Sequence, residues 1–112
     1  MGTRAIVHIR EEGKESPILT TVYRQFDGYP DGLGLDIQDA LKGKTVVNSY
    51  SDPEKQVNGM GCAAAMLVSA LKDGCGNVYV KAAGTNDVWE EYVYQLYCVA
   101  DRIHMTAAEA GD

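Results

Sequence analysis

Apolar and polar residues alternate along "TRAIVHIR", residues 3–10. Ala5, Val7 and Ile9 share one face, and Arg4, His8 and Arg10 the other, with Ile6 among them. A period of two predicts a half-buried strand. The charged loop "EEGKESP" follows, and then "ILTTVYRQF", whose β-branched and aromatic residues predict a second strand paired with the first as a hairpin. Pro17 stands at the start of that strand, where a missing N–H does least harm. In "LGLDIQDALKG" the period changes: Leu33, Ile37, Ala40 and Leu41 recur at helical spacing and Gly43 is a natural stop. Thr45–Tyr50 reads as a short strand or a surface link. "SDPE" reads as a helix start, with Ser51 or Asp52 as N-cap and Pro53 at the first helical position. The stronger helix is "GMGCAAAMLVSALKDG", with an apolar stripe of Met60, Ala63, Ala64, Leu67, Val68 and Leu71, Lys72 in its last turn and Gly74 as cap.

The last third reads as β structure. "NVYVKAA" places Val78, Val80 and Ala82 on one face, and "GTND" is a turn. "VWEEYVYQLYCVA" places Tyr92, Tyr94, Leu96 and Cys98 on one face and Trp89, Glu91, Val93, Gln95, Tyr97 and Val99 on the other. "DRIHMTA" predicts a final strand and "AEAGD" a frayed end. The predicted fold is α+β in ββ-α-α-βββ order, one domain over residues 1–112, with a mostly antiparallel sheet and both helices on one face. The other face then stays open, and the apolar set Trp89, Val93 and Tyr97 falls on it.

Charge narrows the function classes. The chain has 16 Asp and Glu against 10 Lys and Arg, a net charge of −6. The basic residues are scattered, which argues against direct nucleic-acid binding. An acidic protein suits a partner with a basic surface. The three cysteines, Cys62, Cys75 and Cys98, fit no disulfide framework or zinc spacing and predict reduced thiols in the cytoplasm. No signal peptide or membrane-length apolar run is read, and Ile6 stands where a myristoylation signal needs Ser or Thr.

The stretch "FDGYPDGLG", Phe26–Gly34, poses the functional question. Tyr29-Pro30-Asp31-Gly32 has the chemistry of a β-turn leading from strand to helix. The same corner gathers Tyr23, Gln25, Asp27, Tyr29 and Asp31, which with free helix N–H groups would line a small binding site. A calcium loop is excluded, because counting from Asp27 the third position is Tyr29 and the twelfth Gln38. "GMGCAA" matches G-x-G-x-x-A, but "PEKQV" before it does not read as a strand, and Lys81 stands where an acid is needed. His8 and His104 lie on strands as ordinary surface residues. No catalytic signature, metal site or cofactor motif is present, and the balance is against an enzyme.

The opening Met-Gly-Thr-Arg and the run Tyr23–Gly34, which fits Tyr-x-x-(Phe/Trp)-Asp-x-Tyr-Pro-Asp-x-Leu-Gly, resemble a family of small uncharacterised phage and mobile-element proteins. The resemblance covers about the first third of the chain. It implies an accessory protein acting inside a host cell. Together these features predict a non-catalytic counter-defence protein that binds and blocks a host protein, at a basic nucleic-acid-binding surface. The alternative is a nucleotide-type ligand held at the 23–34 corner. A homo-oligomer built on the Trp89, Val93 and Tyr97 face is a third expectation.

Overall fold

The computed structural model describes residues 2–49 and 51–110. The Thr45–Tyr50 and "AEAGD" expectations extend onto Tyr50, Gly111 and Asp112, outside those residues. The elements run β1 (Ala5–Arg10), β2 (Ile18–Arg24), a π-type turn (Pro30–Gly34), α1 (Leu35–Leu41), β3 (Thr45–Val47), β4 (Gln56–Asn58), α2 (Gly59–Leu71), β5 (Val78–Lys81), β6 (Tyr92–Val99) and β7 (Arg102–Glu109). All strands join one sheet in the order β4-β3-β7-β6-β1-β2-β5. Pairing is antiparallel except for β1 with β6 and β3 with β4. The fold is α+β with a mostly antiparallel sheet and two helices, as the hydrophobic pattern predicts.

The differences lie in short or exposed segments. "SDPE" opens no helix. The Gln56 side-chain amide accepts from Ser51 and Asp52 N–H, and the chain enters strand β4 instead. A strand therefore does lead into the G-x-G-x-x-A helix, contrary to the sequence reading. Residues 88–91 lie before β6, not in it, so Trp89 sits on a loop. The C-terminal strand is longer than expected, because Ala108 and Glu109 pair with Val93 and Tyr92.

The core lies between the helices and one sheet face. Ala5, Val7 and Ile9 from β1, Val22 from β2 and Tyr94 and Leu96 from β6 pack with Leu33, Ile37 and Leu41 around α1 and Met60, Ala63 and Leu67 from α2. These are the positions that the two periodicities place inward. Ile6, His8 and Thr21 point to the opposite face and are also buried. They are covered because β5 and β6 lie on opposite sides of the β1–β2 hairpin, so the connection 82–91 crosses that hairpin on its second face. No helix among the described residues is long and apolar enough to cross a membrane.

Candidate functional site

The 23–34 corner is closed by its own hydrogen bonds. Gly28 N–H donates to Thr3 O (2.9 Å), Gly32 N–H to Tyr29 O (2.9 Å) and Leu33 N–H to Asp27 O (2.9 Å). The second of these is the expected β-turn bond. Arg24 Nε donates to Phe26 O (2.9 Å), and its Nη1 pairs with Asp36 Oδ2 on α1 at 2.7 Å. Asn77 receives the amides of Gln25 and Phe26 through its backbone and side-chain oxygens. From β6 the Tyr94 hydroxyl donates to Gly28 O at 2.6 Å. Gly28 is required by close approach: a Cβ there would stand 2.6 Å from Ala5 Cβ and 2.9 Å from Thr3 O.

The site residues expected at this corner separate. Asp27, at φ +59°, Tyr29 and Asp31 stay exposed, and Tyr29 hydroxyl reaches Asp27 Oδ1 at 3.4 Å. Gln25 is half-buried beside Asn77. Tyr23 lies on the second sheet face against Tyr79, ring centroids 5.8 Å apart, with Lys81 Nζ 5.8 Å from its ring. The amides of Gly32 and Leu33, which a phosphate would need, are engaged by Tyr29 and Asp27 carbonyls. Truncating Asp36 to Ala is expected to cost about 1 kcal/mol and to lose part of that difference in high salt, because the pair is half solvated and Arg24 keeps Phe26 O. Urea titrations at two ionic strengths check this.

At the start of α2 a cavity of about 230 Å³ is bounded by Gly59, Met60 and Cys98, with Glu11, Glu12 and Asp101 on its rim. Three carboxylates oppose an anionic ligand at that helix end. Burial pushes the Cys98 thiol up; the Asp101 backbone amide opposes this, the Asp101 and Glu12 charges add to it, and the net rise opposes a thiolate nucleophile. Among the described residues no three His, Cys, Asp and Glu are placed to hold a metal ion.

The second sheet face is the remaining surface. Under the 82–91 loop, Thr21 Oγ1 accepts from Gly84 N–H at 3.0 Å and lies 2.8 Å from His8 Nδ1. Burial, then the nearby Arg10 guanidinium, lowers the His8 pKa, while Glu90 opposes them. Partial burial alone would raise the Glu90 carboxyl, but amides of Glu90, Val88 and Asp87, with His8, bring it below its ordinary value. Glu90 thus caps the loop's inner turn, accepting Val88 N–H at 2.9 Å. The loop holds Asp87 at φ +61° and Trp89 at φ +66°, a region costly for an aromatic side chain. Trp89 is 83% exposed. Beyond the loop the face is open over β6 and β7. There Val93 is half-buried, Gln95 accepts from Arg10 Nε at 3.0 Å, and Tyr97 stacks on His104 at 5.6 Å. Val93 and Tyr97 share this face as predicted, and Trp89 borders it from the loop.

Sequence reasoning missed Thr21, Gly84 and Glu90, which hold that loop, and Asn77 and Tyr94, which hold the corner. Only Asp87-x-x-Glu90 carried a local signal, the three-residue spacing of a carboxylate capping nearby amides. No protein-family model matches this chain, and no curated protein or solved structure matches it either.

Proposed function

We propose that this chain is a non-catalytic binding protein of the phage accessory type, which docks on a host protein and blocks it. The observation that carries the reading is Trp89: a large apolar side chain almost wholly in solvent, fixed at a strained backbone position by a loop whose inner face is hydrogen-bonded to the sheet. Exposed Trp is the residue type most often found as a binding anchor. Asp87 and Glu91 flank it, and Val93 and Tyr97 extend the surface over β6. The carboxylates favour a basic partner surface, such as one that binds nucleic acid. The phage context rests on the N-terminal resemblance.

The test is capture of host proteins on the immobilised chain, followed by titration of the retained partner. Trp89→Ala is expected to weaken that complex about 30-fold or more, the scale of an anchor residue, with the melting temperature unchanged. Added salt is expected to weaken the wild-type complex. A partner that binds the variant equally well, or no retained partner at moderate salt, overturns the reading.

A further inference from the structure

The outer edge of β5 is incompletely satisfied. Gln25 N–H donates to Asn77 O at 2.7 Å. In the alternation of an antiparallel pair, residues 79 and 81 then also turn their backbone groups toward β2, and residues 78 and 80 turn theirs outward. The outward groups of Val78 are occupied: its N–H donates to Gly76 O at 2.8 Å, and its carbonyl accepts from Lys72 Nζ at 2.9 Å. Val80 N–H and C=O have no partner among the described residues. The Val80 side chain is 64% exposed. It borders an apolar cleft of about 330 Å³ where Ala64, Ala65 and Val68 of α2 overhang the sheet edge above Thr20 and Val22.

We infer that a second copy of this chain pairs here, β5 against β5 in antiparallel orientation, with Val80 opposite the partner's Val80. The capped groups of Val78 exclude a pairing centred on that residue and leave Val80 as the centre. The two Val80 residues exchange N–H···O bonds, satisfying all four free groups. On the helix side the paired valines close both clefts, a favourable β-branched cross-strand contact. On the other side Tyr79 comes opposite the partner's Lys81. That ammonium group already lies 5.7 Å from its own Tyr79 ring, so the strand offers both halves of a cation–π pair to its copy. An edge strand with free backbone groups and an apolar residue is a template for such pairing, and one surface suffices for a closed two-fold dimer. The seven strands that the described residues form in each copy become one continuous sheet. The two-fold axis is perpendicular to it, so both Trp89 loops lie on the same side. If the proposed function holds, the dimer is a bivalent binder.

Sedimentation equilibrium on the full chain, from about 1 μM to 1 mM, tests the pairing across the range of small, weak interfaces. The expected result is a reversible dimer in which exchange of the Val80 amide slows as concentration rises. Val80→Lys should weaken dimerisation at least tenfold without lowering the melting temperature of the dilute protein. Trp89→Ala should leave the dimer intact. A chain monomeric throughout, or a dimer insensitive to Val80→Lys, overturns the inference. So does a dimer lost with Trp89 instead of Val80, which would place self-association on the open face. None of these outcomes depends on a host partner, so the dimer and the proposed function stand or fall separately.

Discussion

Truncation of Tyr94 to Ala is expected to lower the free energy of unfolding by about 4 kcal/mol, and Tyr94→Phe by about 1.5 kcal/mol. Tyr94 is the largest fully buried side chain and lies on the core face of β6. Its ring packs where α1 meets the sheet, 3.7 Å from the position a Cβ on Gly34 would take. Removing the ring leaves a cavity that the π-type turn and α1 cannot both collapse into. The smaller variant isolates the hydroxyl. Its bond to Gly28 O at 2.6 Å ties β6 to the corner, and Tyr94→Phe leaves that buried carbonyl unpaired. Burial, then Tyr92, raises the phenol to about 12, so the hydroxyl remains a donor throughout the neutral range. Urea denaturation of the three proteins gives both differences. A neutral Tyr94→Phe would show that the corner holds itself without β6.

This result bears on what the sequence makes legible. The stretch Tyr23–Gly43 contains local information, and the β-turn, the helix after it and the Gly43 stop follow from it directly. Its partners Thr3, Asn77 and Tyr94 do not, because they are brought to the corner by pairing of distant strands. The same limit explains the binding residues. Val93 and Tyr97 alternate within β6 and could be assigned to one face from period two alone. Trp89 continues that alternation in sequence, yet the strand begins only at Tyr92, because the chain must first cross β2 and β1. The burial of His8 has the same origin. On its own strand it alternates with core residues and reads as surface. It is covered by a loop about eighty residues later, whose course depends on the sheet order. The strand β4 was hidden for a different reason: three residues after a Pro turn are too few for any period to show.

Thr21→Val should be the most damaging substitution on the second face, costing about 2–3 kcal/mol above pH 7. Thr21 is fully buried, and valine keeps its shape while deleting the hydroxyl. That hydroxyl accepts Gly84 N–H and, among the described residues, has no acceptor for its own proton other than His8 Nδ1. The proton therefore goes to Nδ1, and the neutral ring carries its hydrogen on Nε2. Valine leaves both partners unpaired under the loop. The pH dependence gives a second readout. His8 is held below its ordinary pKa of 6.5 by burial first and by Arg10 second, against the weaker pull of Glu90. The folded chain thus binds its proton less readily than the unfolded chain. The stability that depends on neutral His8 is complete above pH 6.5 and declines as the pH falls from there through the folded value. The lost Thr21 bond favours the neutral ring, so in Thr21→Val the imidazole charges more easily and the gap between variant and wild type narrows as the solution is acidified. Loop opening would appear first, as a lower protection factor for the Gly84 amide at mildly acidic pH while the β1–β6 ladder stays protected. A stability difference that is the same at pH 5.5 and pH 8 would exclude His8 as the proton's acceptor and leave Gly84 as the hydroxyl's only structural partner.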